Sequence, residues 1–456
     1  MKERETFGSR LGFVLISAGC AIGLGNVWKF PYIVGEYGGA LFVIIYLLFL
    51  ALLGIPILTM EFSVGRASRK SVSRSFHELE PKGTKWHVYS WFAMAGNYLL
   101  MMFYTTVAGW MMIYFFKTVK GDFVGQDAQS ISNSFGEVLS SPALMYSFVI
   151  IVIFLGMGVC FRGLKNGVEK ITKPMMLGLL ALLALLAVRS VTLEGAAEGL
   201  SFYLIPNLSI LETVGLNEVI FAAMSQAFFT LSIGIGSMAI FGSYIDKSRS
   251  LTGEAISVTL LDTSVAFVAG LIIFPACTAF GIEVNSGASL IFITLPNVFN
   301  SMPGGRIWGS LFFVFMTFAA MSTVIGVFEN IISCSMDKFN ISRKKSVIIN
   351  LIAIVFLSLP CVLGFNLWSG FEPFGAGTGV LDLEDFIVSY NLLPLGSLFY
   401  LIFCVSKYGW GWDKFIAEAD SGKGIKFPKQ LRFYVTYIIP ILILYVFIMG
   451  YKELFF

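Results

Sequence analysis

A chain of 456 residues that is 57% hydrophobic, only 13% charged and carries 45 Phe does not have the balance of a soluble domain. Its net charge of +3 is too slight for a nucleic-acid footprint and reflects asymmetric loops. What remains is an all-α polytopic membrane protein, one integral domain over residues 1–456.

In chain order, a short segment 1–10 leads into apolar blocks long enough to cross a bilayer, for which about 20 residues suffice. They predict eleven spans near 11–35, 38–65, 88–117, 143–161, 166–189, 217–243, 254–281, 307–336, 346–365, 386–406 and 432–451. Lysine and arginine collect after the even-numbered spans: Arg66, Arg69, Lys70 and Arg74; Arg162 and Lys165; Lys247 and Arg249; Lys338, Arg343, Lys344 and Lys345; Lys414, Lys423, Lys426 and Lys429. The opposite loops carry few, mainly Lys117, Lys120 and Arg306, and more acids, among them Glu194, Glu198, Glu283 and Glu372. Positive-inside bias therefore puts the N-terminus in the cytoplasm and the C-terminus outside, in the plasma membrane. Met1-Lys-Glu-Arg-Glu runs straight into a span, so no cleavable signal is expected.

The first span reads Ser17-Ala-Gly-Cys-Ala-Ile-Gly-Leu-Gly-Asn-Val-Trp-Lys-Phe-Pro31, with three glycines at its middle. A bilayer has no water to pair loose backbone, so a break there has to line a cavity. The sixth span repeats the device in Gln226-Ala-Phe-Phe-Thr-Leu-Ser-Ile-Gly-Ile-Gly236. Spans 1–5 (11–189) and 6–10 (217–406) then form two matching halves, with span 11 (432–451) outside them. Paired Gly-interrupted segments at corresponding positions point to a transport site at mid-membrane. Gly54 and Gly109 are read instead as close helix packing.

Other chemistries find little support. The six cysteines lie in or at the ends of spans without CxxC spacing, and the only histidines, His77 and His87, share one loop. No HExxH and no Walker A sequence occurs, which leaves neither an enzyme nor an ATP-driven pump.

Gly23-Leu-Gly-Asn-Val-Trp-Lys-Phe-Pro31, Gly54-Ile-Pro56 through Glu61 and Gly65-Arg66, and Gln226-Ala-Phe-Phe-Thr-Leu-Ser232 resemble the signature segments of the neurotransmitter:sodium symporter family, in its bacterial amino-acid transporter branch. The resemblance covers nearly the whole chain. It implies a 5+5 inverted repeat of the leucine-transporter type with helices 1 and 6 broken at mid-membrane, a fold for which that family is the standing example.

The resemblance also implies site residues. Sodium, a hard cation, takes oxygen ligands. The first of two expected sodium sites would use Ala21, Asn26, Thr230 and Asp262; the second Gly19, Ile22, Ala319, Ser322 and Thr323. An α-amino acid would lie against Ala21, Gly23, Leu24, Gly25, Thr230 and Ser232, its side chain among Leu100, Tyr104, Phe229, Ile235, Thr323 and Val327. Ile235 and Val327 are smaller than the family's usual residues there, which implies a large hydrophobic or aromatic guest. Asp262 stands where asparagine is usual, and neither Tyr46, Gln226 nor Ala266 nearby is acidic. Asp262 is therefore expected to supply the charge that chloride supplies elsewhere, so that no chloride is needed.

The outer gate implied is Lys29, Asp385, Tyr104 and Phe229; the inner one is Arg4, Phe7, Ser243, Tyr244 and Asp337. Gly167 and Pro174 in span 5 stand closer together than the family's usual glycine–proline spacing, which puts unwinding of that span in question. The implied activity is sodium-coupled amino-acid import by alternating access, with a small-molecule substrate and the lipid bilayer as partners, no nucleic acid and no obligatory protein. A sodium-independent or proton-coupled transporter of the same fold, or a non-transporting amino-acid sensor, is the rival reading.

Overall fold

The computed structural model describes residues 5–282 and 288–455. Arg4 and Glu283 lie outside them. In order, the helices are α1 (Arg10–Ala21), α2 (Gly25–Glu36), α3 (Ala40–Ser68), α4 (Val72–Leu79), α5 (Trp86–Lys120), α6 (Ala128–Leu139), α7 (Pro142–Phe161), α8 (Leu164–Val191) and α9 (Ala196–Leu204). They continue with α10 (Leu216–Thr230), α11 (Ser237–Ser243), α12 (Leu251–Ala279), α13 (Leu290–Ser301), α14 (Gly305–Phe339), α15 (Arg343–Gly364), α16 (Val380–Val405), α17 (Trp412–Ala419) and α18 (Lys429–Lys452). Among the described residues no strand forms, only two isolated β-bridges.

Nine of these helices are long and apolar enough to cross a membrane, and α1 with α2, bent by 59°, is apolar enough to make a tenth if the pair is one span. The expected span 217–243 is instead two helices, α10 and α11, each shorter than a crossing. Apolar residues cover both the interior and much of the outside: Ile44, Phe154, Val188 and Ile441 are exposed. A chain hydrophobic all round suits lipid as its solvent.

Helices around the two interruptions approach backbone to backbone. A Cβ at Gly65 of α3 would lie 1.9 Å from the Ala239 carbonyl oxygen of α11, and one at Gly242 only 2.4 Å from that of Phe62. Without a hydrophobic drive between helices in lipid, such small-residue contacts hold them. Gly109 plays the packing part expected of it, set against the Val149 amide of α7.

Candidate functional site

Both interruptions are built from backbone that a helix would pair and that here needs other partners. In the first, Ile22 turns to an extended conformation (φ −64°, ψ 105°) after α1, and the next turn is a π-helical one over Gly25–Lys29. Several of its loose groups are met by side chains. The Gly23 amide donates to Asn26 Oδ1 (3.1 Å) and the Leu24 amide to Tyr104 Oη (3.2 Å). Gln226 Nε2 donates to the Gly25 carbonyl (3.0 Å), and Thr323 Oγ1 to that of Ile22 (3.1 Å).

The second interruption, residues 231–236, requires left-handed backbone: φ is +50° at Ser232, +103° at Gly234 and +78° at Gly236. The two GxG motifs therefore serve different ends. Gly234 and Gly236 supply a conformation, whereas Gly23 supplies room, since a Cβ there would sit 2.2 Å from Tyr104 Oη. Glu61 of α3 receives the amides of Gly234 (2.9 Å), Met238 (3.1 Å) and Ala239 (3.3 Å). Asn97 of α5 donates to the Ile235 carbonyl (2.8 Å), and Tyr89 Oη to that of Gly234. Glu61 belongs to a motif of the sequence, but neither its pairing role nor that of Asn97 or Tyr89 was foreseen.

The two interruptions meet in one buried polar knot. Asn26 Nδ2 reaches Asp262 Oδ1 (2.9 Å), the Asp262 carbonyl (3.1 Å) and Thr230 Oγ1 (3.3 Å), while Thr230 Oγ1 donates to Asp262 Oδ2 (2.9 Å). A second oxygen cluster joins α1 to α14: Thr323 Oγ1 lies 3.4 Å from the Gly19 carbonyl oxygen, and Ser322 Oγ 3.5 Å from that of Ile22 and 2.8 Å from that of Ala319. Both sets are oxygen-rich and, among the described residues, no cluster of His, Cys and acids suits a transition metal.

Beside the knot is a cavity of about 30 Å³ walled by Ala21, Gly23, Leu24, Gly25, Leu100, Tyr104, Phe229, Ser232, Thr323, Val388 and Leu393. Val388 and Leu393 of α16 carry no chemical signature and were not singled out. Ile235 and Val327 are buried but lie outside this wall. On its far side a larger cleft of about 160 Å³ opens over Phe229, lined by Lys29, Tyr32, Glu36, Phe221 and Tyr390 among others. Lys29 Nζ stands 4.1 Å above the Phe229 ring, and Asp385 accepts from Ser389 Oγ (2.6 Å). Lys29 and Asp385, expected to pair, form no direct ion pair; Lys29 instead makes a cation–π contact with Phe229.

At the opposite end Phe7 packs edge-on to Tyr244 (5.7 Å between centroids), and its amide donates to the Tyr244 carbonyl (3.3 Å). Ser243 Oγ bonds back to Ile240 (2.6 Å), and Asp337 accepts the Ser71 amide (2.7 Å). Tyr244 Oη also donates to Glu329 (2.6 Å), which Arg343 grips with both nitrogens at 2.8 Å. Nothing local in the sequence points to Glu329, and Arg343 reads there only as a loop charge.

Known proteins share this arrangement along its whole length. The profile of the sodium:neurotransmitter symporter family matches residues 4–135 and 122–454. The chain is 33% identical over 444 residues to the sodium-dependent transporter YhdH of Bacillus subtilis (strain 168), covering 97% of this chain and 96% of that one. To the sodium-dependent serotonin transporter of Drosophila melanogaster it is 28% identical over 506 residues, covering 99% and 78%. Among solved structures, that of MhsT in complex with L-phenylalanine matches with a TM-score of 0.87 at 38% identity, over 98% of this chain and all of that one. Facing helix interruptions, oxygen-lined clusters and relatives that match end to end make this chain a sodium-dependent, multi-pass membrane transporter of the sodium:neurotransmitter symporter family.

Proposed function

We propose that the protein is a symporter that imports a large hydrophobic or aromatic L-amino acid with sodium by alternating access. The observation that carries this is the knot of Asn26, Thr230 and Asp262 at the meeting of the two interruptions. Asn26, Thr230, Asp262 and the Ala21 carbonyl would hold one sodium, beside the substrate carboxylate. Gly19, Ile22, Ala319, Ser322 and Thr323 would hold the other, between α1 and α14. The amides of Leu24 and Gly25 begin α2, and a helix start suits a carboxylate; the carbonyls of Phe229, Thr230 and Ser232 suit an ammonium. MhsT, with which the chain shares 38% identity, was solved with L-phenylalanine, and the cavity wall here is mostly apolar. A cavity of about 30 Å³ is water-sized, so an aromatic side chain enters by moving its wall, of which Phe229 and Ser232 are the half-buried members.

The eleven spans are the ten crossings plus α10 with α11, in two inverted halves, 11–189 and 217–406, within a single transporter domain. The N-terminus faces the cytoplasm and the C-terminus the outside of the plasma membrane. Two sodium ions and a zwitterion bring two net positive charges; Asp262 offsets one, and chloride is not required.

A thermal-shift screen of the twenty amino acids with and without sodium tests the reading, because a ligand stabilises only the state it binds. Aromatic amino acids should stabilise the protein in sodium and not in potassium. Uptake into proteoliposomes should survive replacement of chloride by gluconate; its collapse would remove Asp262 from its role.

A further inference from the structure

The oxygen cluster between α1 and α14 is closed by α1. Gly19 faces Ser322 of α14 and Met176 of α8, where a Cβ would meet Met176 Sδ at 2.9 Å and Ser322 Cβ at 3.3 Å. An ion leaving toward the start of α1 therefore needs α1 to part from α8 and α14.

The start of α1 is tied on two sides, by different chemistry. Toward α12 the tie is an ion pair, Arg10 Nε to Glu254 Oε1 at 2.8 Å, with Arg10 Nη2 on Ser257 at 3.1 Å. Toward α8 the ties are reciprocal hydrogen bonds between carboxylates and backbone. Glu169 accepts the Gly8 amide (2.8 Å) and Ser9 Oγ (3.2 Å), while Glu5 accepts the Leu164 amide (2.8 Å). Ser9 is the N-cap of α1, with its hydroxyl also receiving the Gly12 amide (3.0 Å). Glu169 closes the π-helical first turn of α8, Leu164–Glu169. Gly12 leaves the room it needs: a Cβ there would lie 2.2 Å from Glu169 Oε1.

The same carboxylate has other partners at hand. Lys165, Lys170 and Lys173 line one open cleft with Gly8, Ser9 and Glu169. When α1 leaves, Glu169 exchanges amide and hydroxyl donors for an ammonium instead of being stranded, so parting is reversible.

We propose that Glu169 is a positioning residue of the transport cycle: it holds α1 against α8 and keeps the ion path shut on the cytoplasmic side, and its release to the neighbouring lysines accompanies inward opening. The inference rests on the alternating-access reading above, but its test reads a different quantity. Cys20, buried on α1 where Gly326 of α14 approaches it, reports whether the two helices have parted. In full-length protein with Cys20 as its only cysteine, the rate of alkylation by a small thiol reagent is measured in sodium and in potassium. Glu169→Ala should raise the potassium rate at least tenfold, and Glu169→Gln, which keeps one acceptor oxygen, should fall between. An Ala variant reacting at the parent rate overturns the proposal; if that variant does not fold, Glu169→Gln combined with Glu5→Gln decides in the same way. If sodium changes nothing in the parent, the ion-site reading fails instead, and the comparison of variant with parent still judges Glu169.

Discussion

A methyl group at residue 23 would lie 2.2 Å from Tyr104 Oη and 2.7 Å from Thr323 Oγ1, both fixed by hydrogen bonds to the same interruption. Overpacking of this kind costs about 1–3 kcal/mol, and about 1.4 kcal/mol is tenfold in affinity. Gly23→Ala is thus expected to weaken sodium-dependent amino-acid binding about fivefold or more in calorimetric titration while the protein still folds; unchanged affinity would mean the substrate lies elsewhere. Asp262 is tested separately, since its two oxygens serve Asn26 and Thr230. Asparagine there leaves one of those donors facing an amide, and removing a charged partner costs about 1.5–3 kcal/mol. A sodium titration of the thermal midpoint should then shift to tenfold or more higher sodium for Asp262→Asn.

An interruption at membrane depth survives only if its backbone is paired, and this sets how much of it the sequence could disclose. Position was legible, because left-handed backbone at Gly234 and close approach at Gly23 both demand glycine. The pairing groups were not: Glu61 reaches Gly234 across 173 residues of chain and Asn97 reaches Ile235 across 138, distances that no local pattern encodes. The cavity wall from α16 was hidden for another reason, since Val388 and Leu393 differ in no chemical way from lipid-facing residues. Glu61→Gln leaves one acceptor oxygen for three amides. At about 1–3 kcal/mol per unpaired group, the unliganded thermal midpoint should fall clearly, and an unchanged midpoint would show that the interruption needs no anchor. Between α5 and α7, α6 starts from Asp127, whose carboxyl is held below the usual carboxylate range by the Ser130 hydroxyl and amide. A depressed value stabilises above the unfolded one, about 3.9, and the gain disappears as pH falls through the folded value. Hydrogen exchange of Ala128–Leu139, corrected for intrinsic rate, should therefore quicken at acid pH in the parent, while Asp127→Ala shows no such dependence.

Over the whole molecule, the many apolar crossings were legible in composition, which evolution cannot disguise in a chain dissolved in lipid, although the described residues give nine such helices, or ten with α1 and α2 as one span, against eleven expected. The expected gates are less legible because they would be pairings between residues distant in the chain. Lys29 was expected on Asp385, yet it stands over Phe229, as a compact ammonium can where a planar guanidinium would seek a carboxylate fork. What unites the two ends energetically is the cargo. If two sodium ions travel beside a zwitterion while Asp262 stays fixed in the protein, as proposed, the loaded carrier moves more positive charge inward than the empty one returns. Each elementary charge that crosses about 100 mV is worth about 2.3 kcal/mol. Uptake into sodium-loaded gradients should accordingly rise when a potassium diffusion potential makes the vesicle interior negative, and fall when the potential is reversed. Indifference to potential, with sodium dependence intact, would overturn the charge count of two sodium ions with one zwitterion and no countertransported charge.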